Sequence, residues 1–148
     1  NIKQKSKLKN YFNKERKLKL YAIESWKNFA KKVFLHKSKL KNLIKKLINE
    51  NKSISIYGAS GKGQALIQYS NLHNKMIKRV YDLSKLKINK FTPGTHIRID
   101  HPRKIDRDNI DYHLICTWNL APEIIEQQKE YKTRGGKFII PFPYPKIL

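Results

Sequence analysis

Apolar residues in the first third of the chain recur every three or four positions, the period of an amphipathic helix. The first such stripe comprises Leu18, Ala22, Trp26, Phe29, Ala30 and Val33, and the second comprises Leu40, Leu43, Ile44, Leu47 and Ile48. A polar break near His36 to Ser38 separates them. We therefore predict two amphipathic helices within residues 14–50, preceded at residues 1–13 by a basic tail or a frayed helix start.

Both stripes are expected to pack on the following domain or on a neighbour outside this chain. Trp26 and Phe29 are accordingly predicted as core residues rather than ligand contacts. A helix lying on a membrane surface can show the same stripe with a basic polar face, so that alternative stays open at this point.

From residue 51 onward the pattern changes to short apolar strands separated by helical segments. The predicted strands are Ile54–Tyr57, Ile77–Tyr81, His96–Ile99, Tyr112–Cys116 and Lys137–Ile140, and the predicted helices are Gln64–Tyr69 and Pro122–Thr133. Strands connected through helices pair in parallel by right-handed crossovers. Residues 51–148 are therefore predicted to form an α/β domain, a small Rossmann-like parallel sheet flanked by helices, preceded by the N-terminal amphipathic helices. The proline-rich end of the chain, 141–145, is expected to cover the sheet edge.

The charge of the chain is strongly positive. Its 148 residues carry 33 Lys and Arg against 11 Asp and Glu, a formal net charge of +22. Such a field attracts anions. However, 27 of the 33 basic residues are lysine, whereas bidentate reading of bases relies on arginine. We expect no specific nucleic-acid partner, and a weak polyanion-binding module remains an alternative.

The remaining bulk features narrow the class of protein. The single cysteine, Cys116, has no internal disulfide partner and is predicted as a core residue. No apolar run approaches the ~20 residues that cross a bilayer, so we expect no membrane partner and a cytoplasmic location. The chain begins at Asn1 rather than Met, from which we expect a fragment or a processed product.

The candidate site begins with the glycine loop Gly58 to Gly63, which follows the first predicted strand and leads into a helix. Glycines allow a tight turn and a close approach of the backbone, and a helix N-terminus presents free N–H groups to a phosphate. Lys62 adds a positive charge. Asp82 ends the second strand, a position where a carboxylate commonly accepts hydrogen bonds from ribose.

The loop alone is only moderately specific. Its spacing is G-x-x-G-x-G rather than G-x-G-x-x-G, and Gly63 stands where a P-loop has serine or threonine. A tight strand-to-helix turn without a ligand uses glycine as well. That interpretation therefore stays open.

A series of motifs in a fixed order extends the signal over residues 54–148. It comprises Tyr57-Gly58-Ala59 with Lys62-Gly63, Tyr81-Asp82, Pro93-Gly94-Thr95-His96-Ile97, His101-Pro102, Trp118-Asn119-Leu120, Glu123-Ile124 with Gln127-Gln128, and Gly135-Gly136-Lys137-Phe138-Ile139 to Pro141. In this order the motifs resemble the C-terminal domain of the SAM-dependent sugar C-methyltransferases, enzymes that act on nucleotide-linked deoxysugars. The helix preceding residue 54 fits the resemblance too.

The resemblance implies a substrate-binding role without catalytic residues in this chain. The implied nucleotide-sugar contacts are Tyr57, Gly58, Ala59, Ser60, Gly61, Lys62, Gly63, Asp82, Thr95, His96, Trp118 and Asn119. Of these, the glycine loop and Asp82 are expected to bind the nucleotide. The last four, Thr95 to Asn119, are expected to border the same crevice at the carboxyl ends of the strands. Complete enzymes of the family also have a zinc-binding region and a catalytic SAM-binding domain. Neither resembles any part of this chain, so SAM and zinc are expected there and no cofactor or metal here. The implied partners are a nucleotide-linked sugar and that catalytic domain of the same full-length protein.

Residues of this domain also fit other chemistry. A domain of this pattern can bind SAM itself, although Tyr57 stands where an acidic residue usually precedes the glycines. His96 and His101 are candidate acid–base groups, since histidine is a common proton donor and acceptor in catalysis, but for His96 we favour a role in loop geometry. Asp106, Asp108 and Asp111 are expected to form a solvated charged loop beside Arg103, Lys104 and Arg107 rather than a metal site.

Overall fold

The computed structural model describes residues 2–148, with side chains from Lys7 onward. The chain separates into two compact units, one ending at Leu35 and one beginning at His36. Its helices are α1 (Ile2–Lys17), α2 (Ile23–Asn49), α3 (Gly61–Tyr69), α4 (Ile105–Asp108), α5 (Ala121–Gln127) and α6 (Lys129–Thr133); its strands are β1 (Ile54–Tyr57), β2 (Val80–Tyr81), β3 (Ile99–Asp100), β4 (Tyr112–Ile115), β5 (Lys137–Ile140) and β6 (Lys146–Ile147). Two 3₁₀ turns, Pro102–Lys104 and Trp118–Leu120, precede α4 and α5.

The first unit is helical from its described start. Helix α1 covers most of the segment for which the sequence predicted a tail or frayed helix. Helix α2 continues without interruption through His36 to Ser38, so the predicted break there is wrong. No proline or glycine occurs between Ile23 and Asn49 to end a helix.

The apolar stripe of the first unit is exposed in this chain. Trp26 and Phe29 are 57% and 59% exposed, with their rings edge to face at 6.4 Å. The first unit by itself does not bury them, and the expectation that they pack on a neighbour stays a prediction. None of the described helices contains a stretch that is both long and apolar enough to cross a membrane.

The second unit contains the sheet, and the predicted α/β class is confirmed. Within residues 2–148 six strands pair in the order β3-β2-β1-β4-β5-β6. Strands β1 to β5 are parallel, while β6 pairs antiparallel with β5 through Ile139 and Ile147. The sequence did not predict the antiparallel strand β6. It predicted only that the proline-rich end of the chain covers this edge of the sheet.

Alternation along the strands divides the core between the two faces of the sheet. Ile54 and Ile56 of β1 join the cluster that includes Leu40, Ile44 and Ile67 from α2 and α3. On the opposite face Tyr57 packs with Ile124 of α5, Tyr131 of α6 and other residues of the second cluster. This division is what a buried strand with helices on both faces requires.

Several element limits differ from the sequence predictions. Strand β2 holds only two residues and β3 begins at Ile99, later than predicted. The helix predicted from Pro122 to Thr133 is two helices separated at Gln128, whose ψ of 28° departs from helical geometry. Helix α3 begins at Gly61, so Gly61 to Gly63 form its first turn and the true loop is Gly58 to Ser60.

Candidate functional site

The sheet changes its winding direction between β1 and β4. From β1 the chain crosses to β2 on one side, and from β4 it crosses to β5 on the other. In open α/β sheets the crevice at the carboxyl ends of such strands is where ligands bind. A cavity of about 340 Å³ lies here, lined by Tyr57, Gly58, Asp82, Leu83, Thr117, Leu120, Glu123, Ile124 and Gln127.

Gly58 makes the sharp turn that begins this crevice. Its φ is +94°, a conformation that side-chain-bearing residues rarely adopt. A Cβ atom there would lie 2.6 Å from Thr117 Oγ1 at the end of β4. Glycine is therefore required by the backbone conformation and by the close approach of Thr117.

The first turn of α3 exposes backbone N–H groups that can donate hydrogen bonds. Ser60 is its N-cap, with the hydroxyl accepting the Gly63 N–H at 3.0 Å. Gly63 lies against the end of β4, since an added Cβ would come within 2.6 Å of Cys116 Cβ. The N–H groups of Gly61 and Lys62 precede the first intrahelical acceptors and are available to an anion.

Lys62 and Trp118 are brought together over this turn. The Lys62 Nζ lies 5.6 Å from the centre of the Trp118 ring. Trp118 packs on Phe142, with ring centres 4.5 Å apart, and covers part of the first core cluster. The lysine is thus held near the N-terminus of α3 with its charge exposed.

Asp82 closes the glycine turn from the neighbouring strand. Its Oδ2 accepts the Ala59 N–H at 2.7 Å and the Lys87 ammonium at 3.3 Å. Its Oδ1 accepts the Ser84 N–H at 2.8 Å. The carboxylate that the sequence predicted as a ribose acceptor therefore ties the end of β2 to the loop after β1.

Tyr57 lies beneath the crevice and is 4% exposed. Its phenol oxygen is buried and makes no hydrogen bond of normal geometry among the described residues. Burial raises the pKa of this phenol, with the Gln128 side chain opposing that effect and the Asp82 charge adding to it. The Tyr57 phenol is thus a buried polar group at the base of the crevice, with the Gln128 side chain as its neighbour.

A second cavity, of about 370 Å³, adjoins the first and shares Tyr57, Leu83 and Gln127 with it. Its other lining residues are mostly polar: His101, Pro102, Arg103, Asp106, Gln128, Glu130 and Tyr131. His101 follows β3 and its Nδ1 accepts the Arg103 N–H at 3.1 Å.

None of the four residues predicted to border the crevice, Thr95, His96, Trp118 and Asn119, lines either cavity. Thr95 and His96 precede β3, so they lie towards the opposite end of that strand from His101. Thr95 instead lines a separate cavity with Gln68 and Asn71, and His96 stacks on Phe91 at 4.5 Å. Thr95 also accepts from the Gln64 side chain of α3 at 3.4 Å, and the expectation that the two residues border the crevice stays a prediction.

Trp118 and Asn119 lie just beyond the crevice, which Thr117 and Leu120 line in their place. The side chain of Trp118 turns towards the core cluster on the α3 side, and Asn119 is exposed. The assignment of the twelve predicted residues to ligand binding stays a prediction.

Sequence reasoning did not single out Glu123, Gln127 and Leu83 as cavity residues. For Glu123 and Gln127 a signal existed. Leu120, Glu123, Ile124 and Gln127 follow one another at the spacing of one helical face. Leu83, in an irregular stretch, had none.

The three aspartates between residues 106 and 111 have separate partners. Asp106 pairs with Arg134, Asp108 accepts from the Tyr81 hydroxyl, and Asp111 accepts from Ser53 at 2.6 Å. Within the described side chains no group of three or more His, Cys, Asp or Glu residues is placed to hold a metal ion.

Comparison with known proteins identifies relatives over nearly the whole chain. A family model described as the C-methyltransferase C-terminal domain matches residues 1–143. The C-methyltransferase NovU of Streptomyces niveus is 33% identical over 123 residues. That match covers 83% of this chain and 29% of the relative, so the chain spans under a third of that protein's length.

Proposed function

Because the chain belongs to the family of C-methyltransferase C-terminal domains, we propose that it is the part of such an enzyme that binds a nucleotide-linked sugar. The methyl donor, SAM, and the zinc site are then held by other parts of the full-length protein. The catalytic SAM-binding domain of the same protein is the partner of this domain. A cytoplasmic location and an activity in deoxysugar synthesis belong to the same proposal.

The observation that carries the proposal is the crevice at the switch point between β1 and β4. There a glycine turn, the first turn of α3 and the exposed charge of Lys62 lie side by side. Backbone N–H groups at a helix N-terminus and a nearby ammonium favour a diphosphate. The adjoining cavity supplies room for the moiety attached to that diphosphate.

Calorimetric titration of the full chain tests this function. The probes are nucleoside diphosphates, nucleotide-sugars, SAM and a short DNA duplex. We expect binding of the nucleotides and nucleotide-sugars. Binding of SAM alone would indicate a domain that holds the methyl donor. Binding of the duplex alone, with steep salt dependence, would indicate a polyanion-binding module that acts through its net charge of +22.

Lys62→Gln separates the loop from the general charge of the protein. Loss of one charge-assisted contact is expected to weaken nucleotide binding about tenfold. Lys45→Gln removes the same charge from an exposed position on α2 and should leave the affinity unchanged. Equal affinities in both variants would remove Lys62 from the site.

A further inference from the structure

We infer that Glu123 and Gln127 of α5, together with the Tyr57 phenol, recognise the hydroxyl groups of the ligand. Asp82 instead acts as a latch, by which we mean that its carboxylate holds the loop Gly58 to Ser60 through the Ala59 N–H. The inference rests on the proposed nucleotide-sugar function and specifies which residues read the sugar. The moiety in question is a polyhydroxylated ring, either the ribose of the nucleotide or the attached hexose.

Asp82 has little acceptor capacity left for a ligand. A carboxylate offers about four lone-pair sites, and Asp82 already accepts from the Ala59 N–H, the Ser84 N–H and the Lys87 ammonium. A sugar hydroxyl bound there would displace one of these donors. Displacing the Ala59 N–H would open the turn that lies beside the phosphate position.

Glu123 has the free carboxylate of this crevice. It lines the cavity, is exposed, and makes no ion pair or side-chain hydrogen bond with any residue that the structure describes. Glu126, three residues along the same helix, instead pairs with Lys129 at 3.8 Å. Of these two glutamates, only Glu123 lines the cavity.

The rotation of α5 is fixed by its buried side. Ile124 is 5% exposed and packs in the second core cluster. With Ile124 anchored, Leu120, Glu123 and Gln127 share the face towards the cavity, since Glu123 stands three residues after Leu120 and four before Gln127. Gln127 lines both cavities, as Tyr57 does.

The three polar groups match the chemistry of a hydroxyl. A hydroxyl both donates and accepts; Glu123 accepts, Gln127 does both, and the phenol of Tyr57 does both. Leu83, Leu120 and Ile124 supply the apolar lining for the carbon face of a sugar ring. A cavity of about 340 Å³ is large enough for one pentose or hexose ring.

The position of the carboxylate also orients the ligand. Phosphate oxygens only accept hydrogen bonds at full ionisation and are repelled by an unpaired carboxylate. The diphosphate is therefore placed at the first turn of α3 beside Lys62, and the hydroxyl-bearing ring is placed against Glu123. Gly58 lines the cavity and lies three residues before the start of α3.

The test is calorimetric titration of the full chain and two variants with inorganic pyrophosphate, UDP, dTDP, UDP-glucose and dTDP-glucose. Glu123→Gln keeps the shape of the side chain and removes the carboxylate. Glu126→Gln makes the same charge change on the same helix outside the cavity and serves as the matched control. Thermal unfolding of each variant checks that the fold is retained.

Glu123→Gln is expected to lose about tenfold in affinity for the probes whose hydroxyls it reads, with Glu126→Gln unchanged. An equal loss for UDP and UDP-glucose assigns the ribose, and a loss confined to the glucose-bearing probes assigns the hexose. Pyrophosphate should bind Glu123→Gln as tightly as the wild type or more tightly, because a repelling charge is removed.

Two results would overturn the inference while leaving the proposed function intact. One is wild-type affinity of Glu123→Gln for every probe that the wild-type chain binds. The other is an equal loss for pyrophosphate, which has no sugar hydroxyl. If the wild-type chain binds none of the nucleotide probes, the proposed function fails and this inference fails with it.

Discussion

At the scale of single residues, the three glycines of the turn have different reasons to be glycine. Gly58 adopts a φ of +94° and faces Thr117, while Gly63 faces Cys116. Gly61 has no heavy atom within 4 Å of the place where a Cβ would stand. Gly58 and Gly63 are therefore required for close packing against the residues that follow β4. Gly61 is not, because open space surrounds it at the start of α3.

These differences predict opposite effects of the same substitution. Gly58→Ala is expected to lower the free energy of unfolding by about 1–3 kcal/mol, because it adds backbone strain and a clash. Gly61→Ala is expected to leave it unchanged or raise it by up to ~1 kcal/mol, because alanine favours the helix. Urea unfolding measures both, and an equal effect in the two variants would contradict this account of the turn.

At the scale of elements, the structure of the site depends on contacts between the ends of neighbouring strands. Asp82 at the end of β2 accepts from Ala59 after β1, and Thr117 after β4 limits the space at Gly58. Helix α5 contributes the opposite wall through Glu123 and Gln127. The site is thus assembled by four segments that are distant in sequence.

The hydrogen bonds that Asp82 accepts from the loop can be tested by removing its charge. Asp82→Asn should reduce the free energy of unfolding by about 1–3 kcal/mol, because the part-buried N–H groups of Ala59 and Ser84 lose a charged acceptor. The Ala59 amide should also exchange its hydrogen faster. Asp106→Asn, which breaks an exposed pair with Arg134, should cost at most about 1 kcal/mol. Unchanged protection of Ala59 in Asp82→Asn would argue against the latch.

At the scale of the whole molecule, a titratable group in the core links folding to pH. His113 of β4 is fully buried, is hydrogen-bonded through Nδ1 to Ser55 of β1, and has no partner for Nε2 among the described residues. Tyr131 and Phe138 pack around the ring. Burial lowers the pKa of His113 to about 3.

The sign of the pH effect follows from this shift. The unfolded chain binds a proton at His113 near pH 6.5, while the folded domain resists it down to about pH 3. Stability should therefore be fully present above pH 6.5 and fall as the pH decreases, by up to ~1.4 kcal/mol per pH unit. His113→Gln should flatten the profile between pH 6.5 and 5.

Chemical denaturation at several pH values provides the comparison of slopes. Should the variant be too unstable, NMR titration of the wild-type His113 ring answers the same question. A ring that protonates near pH 6.5 in the folded protein would contradict the prediction.

The sequence by itself determined the α/β class, the position of β1 and β5, and the glycine turn with its helix. These features arise from local causes: runs of buried β-branched residues, apolar periodicity, and the backbone freedom of Gly58. Its ordered motifs also indicated the family that the comparisons confirmed. Where the local cues were weak, at His36 to Ser38 and at Gln128, the limits of helices were predicted wrongly.

The tertiary structure alone decided which side chains meet. Thr95 lines a cavity with Gln68 and Asn71, while His101 lines the second cavity beside the crevice. Packing of Ile124 turned Glu123 towards the first cavity, and hydrogen bonds from Ala59 and Ser84 engaged Asp82. A residue's type and spacing state what it can bind, but its partners in the folded protein decide whether that capacity is still free.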